Sequence, residues 1–122
     1  DARLQKERAN ALQAEFLNVQ MDALPSPEEV HHVLLFVGEL DAIALRNAVN
    51  TLTGKYSGYC GIFAGDDTNG YRFIVGSGSC NCQELADRMR RELSAKGGGS
   101  APMIQGNVAA TADTLQTMWA SL

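Results

Sequence analysis

Residues 59–76 read YCGIFAGDDTNGYRFIVG. Two β-rich runs, Tyr59–Ala64 and Tyr71–Val75, flank the hexapeptide GDDTNG. Asn69-Gly70 is a strong hairpin signal, because turns with positive φ accept Asn and Gly where other residues are strained. The stretch predicts an antiparallel pair. What lies on either side decides the kind of sheet that holds it.

On the amino-terminal side, Val30–Glu39 is apolar and β-rich and reads as a central strand. Asp41 then stands where a cap is needed, its carboxylate able to accept from free amides of a first helical turn. Leu45, Ala48, Val49 and Leu52 fall at i, i+3, i+4 and i+7, which makes one apolar helical face. Gly54 is expected to close that helix at positive φ.

On the carboxy-terminal side, Gly76-Ser77-Gly78-Ser79 leads into a further helix, with Asn81 and Glu84 in capping positions. Leu85, Met89 and Leu93 line one side of it. The glycine run of KGGGSAPMIQGNV, residues 96–108, is expected to end that helix as a loop. Met103–Val108 reads as a short strand and Thr111–Leu122 as a last helix, with Leu115, Met118, Trp119 and Leu122 on one side.

At the start, residues 1–24 hold no Gly or Pro and read as a long helix. Ala2, Ala9, Phe16 and Ala23 recur every seven residues, joined by Leu12 and Val19, while Gln5 interrupts the first turn. The stripe suits either a helix packed on its own domain or one that pairs with a second copy. Pro25-Ser26-Pro27 ends it. The whole order predicts an α/β layer fold with a mixed sheet: residues 1–24 a connecting or oligomerisation helix, and residues 28–122 the α/β domain.

The 122 residues suffice for one such domain. A formal net charge of −4 argues against a dedicated nonspecific DNA binder, so any nucleic-acid contact must be local. No apolar run approaches the roughly 18–20 residues that cross a bilayer, and no membrane partner is expected. The chain does not begin with Met, and Asp1 is expected to mark a piece of a longer or processed protein. Cys60, Cys80 and Cys82 are odd in number, and two are too close for a comfortable bridge. They read as reduced thiols of a cytoplasmic protein.

Catalytic patterns are missing. His31 and His32 are adjacent, and neighbours on a strand point to opposite faces, so they do not converge on one metal. Cys80-x-Cys82 lacks the spacing of a zinc knuckle. GSGSC resembles a phosphate-binding turn but lacks the third glycine and the acidic ribose partner. Asp66-Asp67 read as solvated turn acids. No catalytic residue, metal ligand or cofactor is assigned to this chain.

The glycine run remains. Glycine permits close backbone approach and positive φ, and consecutive amides can form a concave anion site. Ser100 adds a hydroxyl, Gln105 an amide, and Lys96 with the basic set Arg88, Arg90 and Arg91 positive charge from the preceding segment. The alternative is a helix-to-strand connection with close packing.

The segments LLFVGELDAIALRNAVNTL, YCGIFAGDD, YRFIVGSGSCNCQELADRMRREL and KGGGSAPMIQGNVAAT together resemble the DHHA1 domain. More narrowly they are similar to the carboxy-terminal domain of AlaX-type alanyl-tRNA editing proteins. GGGS…M-x-QG…AT is the most specific part, and the resemblance spans roughly the last three-quarters of the chain. It implies a noncatalytic tRNA-binding module whose partner is tRNA for alanine. The parent protein would be a zinc-dependent aminoacyl-tRNA deacylase with its zinc ligands in a separate amino-terminal domain. It implies that Gly97, Gly98, Gly99, Ser100, Gln105 and Gly106 face RNA, joined by Arg91 and Lys96. Related domains contact the outer corner of tRNA and assist dimer formation, which leaves a homodimer through the first helix as the second reading. The third is an accessory domain of a DHH-type phosphoesterase. That branch carries a histidine after the glycine run where this chain has Ser100, and Glu29-Val30-His31-His32 is not its Asp-His-His motif.

Overall fold

The computed structural model describes residues 15–26, 28–38 and 40–122. A helix over residues 15–22 (α1) leads to β1 (Val33–Val37), α2 (Ala42–Thr53), β2 (Cys60–Asp66) and β3 (Gly70–Gly76). Then come α3 (Cys82–Leu93), β4 (Lys96–Ser100), β5 (Met103–Val108) and α4 (Ala112–Ala120). The strands form one sheet in the order β1-β2-β3-β5-β4. β1 runs parallel to β2, and the other neighbours are antiparallel. This is the mixed α/β architecture the sequence predicts, but β1, expected at the centre, lies at one edge, its apolar residues covered by α1 and α2 on one face and by α4 on the other. Of the long first helix, the stretch over residues 1–14 lies outside the described residues, and the part described is about two turns.

The sheet buries both faces of its centre. On one side Val33, Leu35, Val37, Cys60, Ile62, Ala64 and Ile74 pack with Leu45, Val49 and Leu52 of α2 and Leu17 of α1. On the other, Phe63, Tyr71, Phe73, Val75 and Val108 meet Leu85 and Met89 of α3 and Leu115, Met118 and Trp119 of α4. The period-two alternation of β1 and the 3.6-residue period of the helices therefore sort the apolar residues into two layers. Trp119 crosses the second layer, donating from Nε1 to the Val33 carbonyl at 2.9 Å and lying where a Cβ on Gly61 would collide with it.

Capping follows the sequence at the starts of α2 and α3, and Thr111, expected inside the last helix, is its cap. Asp41 Oδ1 accepts from the Ala44 amide at 2.8 Å, Asn81 Oδ1 from Gln83, and Thr111 Oγ1 from Thr114. Helix ends depart from expectation. Gly54 closes α2 with φ −74°, because the chain turns by having the Lys55 and Tyr56 amides both donate to the Leu52 carbonyl, and no left-handed residue is required. The glycine run does not end α3. Ser94, at φ 55°, takes that role in the left-handed region, and the glycines belong to β4.

The hairpin forms, but with a three-residue connection. Asp66 pairs with Gly70, and Gly70 alone takes positive φ there, at 88°, while Asn69 does not. The reason is Asp66, whose carboxylate accepts from the Asn69 backbone amide at 2.6 Å and from its side-chain amide at 3.1 Å. Asp67 reaches further. Its Oδ1 accepts from the Tyr71 hydroxyl at 2.7 Å and from the Ala112 amide at 2.8 Å, tying the hairpin to the start of α4.

Those bonds, the Tyr71 hydroxyl first and the Ala112 amide second, hold the Asp67 carboxyl below its ordinary range. A depressed carboxyl contributes stability above its unfolded pKa of about 3.9 and loses it as pH falls through the lower folded value. Burial first, and the Asp67 bond second, push the Tyr71 hydroxyl up to about 12, so its contribution fades only above about pH 10. Urea midpoints of the wild type and Asp67→Asn are expected to differ most near neutral pH and to converge below about pH 4. A gap that stays constant with pH would mean the ionised carboxylate is not the tie.

Candidate nucleic-acid interface

The glycine strand is an edge strand. Among the described residues β4 pairs with β5 alone, through Lys96–Asn107, Gly97–Gly106, Gly98–Gln105, Gly99–Ile104 and Ser100–Met103. Its backbone lies so close to β5 that side chains would not fit. A Cβ on Gly97 would stand 2.3 Å from the Gln105 carbonyl oxygen, on Gly99 2.4 Å from that of Met103, and on Gly106 1.9 Å from that of Lys96. Gly97 also takes φ 127°. Three of the glycines thus serve close strand approach, which corrects the expectation of an anion-cradling loop. Gly98 differs: a Cβ there would meet only the end of the Arg90 side chain, at 2.9 Å.

Helices cover this part of the sheet unequally. α3 lies against β4 and β5 on one face, whereas α2 lies over β2 and β3 on the other. Among the described residues, the outer strands are therefore open on the α2 side. Cross-strand partners share a face, and Arg72, Asn107 and Lys96 stand in one row across β3, β5 and β4. In the next row Gln105 follows Ile74. Arg72, Asn107, Lys96 and Gln105 are all exposed. Arg46, from the exposed side of α2, reaches over to donate from Nη2 to Gln105 Oε1 at 3.3 Å. The result is an open polar surface with three cations and two amides, on a chain whose net charge is −4.

Charge pairing sharpens the contrast. Among the described residues, Arg46, Arg72 and Lys96 have no ion-pair partner. The arginines of α3 are largely occupied. Arg88 pairs with Glu92 and donates to Ser121, and Arg90 pairs with Asp87 at 2.9 Å. Arg91 is exposed, but Met89 of the same helix is fully buried against the sheet two residues earlier, so Arg91 stands on the far side of α3. The structure brings Lys96 and Gln105 together, sets Ser100 at the far end of β4, and does not bring Arg91 to them. Arg46 and Arg72 were not singled out by sequence reasoning. The signal was present in the alternation of β3, where Arg72 is the one exposed residue in a buried run.

The other sequence candidates resolve into structural roles. His32 Nδ1 accepts from the Tyr59 amide at 3.0 Å and the ring stacks on Tyr59. That bond assigns the neutral ring with its proton on Nε2. Burial first, then His31, lowers its pKa. In GSGSC, Ser77 Oγ accepts from the amides of Ser79 and Cys80, which a phosphate would otherwise use. Cys60 and Cys82 are buried in different layers, and burial pushes their thiols up to about 12 and about 11. Among the described residues no group of three or more His, Cys, Asp or Glu is placed to hold a metal ion. None of the described helices is long and apolar enough to cross a membrane.

Comparison with known proteins gives a likeness in fold. No protein-family model matches the sequence, and no curated protein does. Among solved structures, the C-Ala domain of alanyl-tRNA synthetase from Aquifex aeolicus matches with a TM-score of 0.58 and 20% identity. The match covers 73% of this chain and 87% of that one, and the fold of this chain is similar to that of a C-Ala domain.

Proposed function

We propose that this chain is a noncatalytic tRNA-binding module of the alanyl-tRNA system, with the open face of β3, β5 and β4 as its RNA surface. The observation that carries the proposal is the trio Arg46, Arg72 and Lys96, exposed on one face of an otherwise acidic chain and without ion-pair partners among the described residues. Gln105 and Asn107 stand among them as neutral donors and acceptors, suited to sugar and base edges. The likeness to a C-Ala fold supports the same direction. In its finer form the reading is a cytoplasmic module of an AlaX-type editing hydrolase, binding tRNA for alanine while a separate zinc-bearing domain cleaves the misacylated ester. Few phosphates are neutralised, so affinity in isolation is weak and falls with salt. Tethering to a second RNA-binding domain makes such a contact effective.

The test is a titration with an unmodified alanine-acceptor tRNA transcript at two salt concentrations. Salt-sensitive binding is the expected result. No binding by the folded wild type at low salt would remove the reading.

A second reading has its own observation. Leu17 and Met21 of α1 and Leu24 just after it face the domain, while Phe16 and Val19 of the heptad-like stripe are 54% and 65% exposed. The stripe therefore points away from the chain's own core, as a homodimer through this helix requires. Phe16→Glu/Val19→Glu is expected to halve the solution mass if that helix pairs two copies. A wild-type mass of one chain would end this second reading.

A further inference from the structure

A strand with three consecutive glycines on a sheet edge needs something to hold it. Glycine loses more conformational freedom on folding than any other residue and offers no side chain to pack. β5 holds β4 on one side only. On the other side, Arg90 Nη2 donates to the Gly97 carbonyl at 2.8 Å and Gln83 Nε2 to the Gly99 carbonyl at 3.1 Å. Gln83 and Arg90 are seven residues apart, two turns along one side of α3. Gly97 and Gly99 are two apart, so their carbonyls point the same way out of the sheet edge. The two helix side chains take the place that a sixth strand would fill. Arg90 is itself fixed, because its Nη1 donates to Asp87 Oδ1 at 2.9 Å, which also neutralises its charge.

We infer that Gln83 and Arg90 are positioning residues for the RNA surface: they clamp the outward carbonyls of the glycine strand so that Lys96 and Ser100, at its two ends, are in place before RNA arrives. The inference rests on the RNA reading given above. Order present before binding is not charged to the binding step. The clamp also blunts the exposed edge against strand addition by another chain.

The experiment uses the full 122-residue chain and the double variant Gln83→Met/Arg90→Met, which keeps the apolar stems and removes the donors. Two quantities are read: amide hydrogen exchange by NMR without RNA, and the affinity for the alanine-acceptor transcript across a salt series. Exchange at Gly98 and Ser100, whose amides point to β5, is expected to quicken at least tenfold while Phe63 in the central strand is unchanged. RNA affinity is expected to fall about tenfold with no change in the slope of log Kd against log salt, because Arg90 contacts no phosphate. Arg90→Gln, which retains a donor for Gly97, is expected to recover part of both losses. A shallower salt slope would overturn the inference by making Arg90 a phosphate contact. Unchanged exchange at Gly98 and Ser100 would overturn it by showing the strand holds without the clamp. Quickened exchange throughout the core would overturn it as a general loss of stability. A wild type that binds no RNA would sink the functional reading itself, and the role assigned here with it.

Discussion

Gly106→Ala is expected to remove more than about 3 kcal/mol of stability, while Gly98→Ala changes it by less than about 1 kcal/mol. The two glycines are eight residues apart and belong to the same two-stranded ribbon, yet their surroundings differ in kind. A methyl on Gly106 would sit 1.9 Å from the Lys96 carbonyl oxygen and 2.9 Å from the Gly97 Cα. Both obstacles are backbone, so the ribbon must open or shear to admit it. That movement breaks ladder bonds on β4 and disturbs the neighbouring row, where Phe73 is buried opposite Gly106. A methyl on Gly98 meets only the Arg90 guanidinium, the far end of a flexible chain, at 2.9 Å. Its displacement costs little, and replacing glycine also reduces the freedom of the unfolded chain, which offsets part of the cost. Urea unfolding of the two variants beside the wild type decides the matter. Equal midpoints for Gly106→Ala and Gly98→Ala would mean the strands are not held as closely as the structure has them.

The same ribbon marks the boundary of what sequence could convey. The apolar run of β1, the apolar stripes of α2, α3 and α4, and the caps at Asp41 and Asn81 are local patterns, and each gives the element that was expected of it. Local pattern fails at KGGGS. A strand is recognised from β-branched and aromatic side chains, and glycine carries none, so this edge strand reads as a loop. Its strand character arises from β5, through a register set by the short Ser100–Met103 turn. Ser94 escaped for a related reason: left-handed closure was looked for at glycine, and the neighbouring run offered three. The functional surface was half legible. Lys96 and Gln105 could be picked out beside the glycines. Arg46 and Arg72 lie 59 and 33 residues from Gln105 in the chain, and only the β3–β5 register and the lie of α2 bring them to it. Conversely, the Arg88, Arg90 and Arg91 cluster looked basic in sequence, but Glu92 and Asp87 take up two of its charges.

Reversing the three free cations gives the largest expected effect on RNA. Arg46→Glu/Arg72→Glu/Lys96→Glu should weaken binding of the alanine-acceptor transcript at least 100-fold at low salt, whereas Arg91→Glu should change it less than about threefold. Each phosphate neutralised by a cation contributes about 0.7–0.9 to the slope of log affinity against log salt. Loss of three contacts therefore flattens the slope by about 2 to 3, and the added carboxylates oppose the RNA backbone as well. All three residues are exposed and without ion-pair partners among the described residues, so folding should survive their replacement. An unchanged urea midpoint checks that point. Arg91 supplies the control because it carries equal charge on the far side of α3, away from the open face. If both variants lost affinity equally, attraction would come from overall charge alone, and the chain would be a general polyanion binder. If Arg91→Glu were the more damaging, the RNA surface would lie along α3, and the open face of β3, β5 and β4 would lose its assignment. A loss confined to the triple variant, with the predicted flattening of the salt slope, makes that face the place where RNA is held.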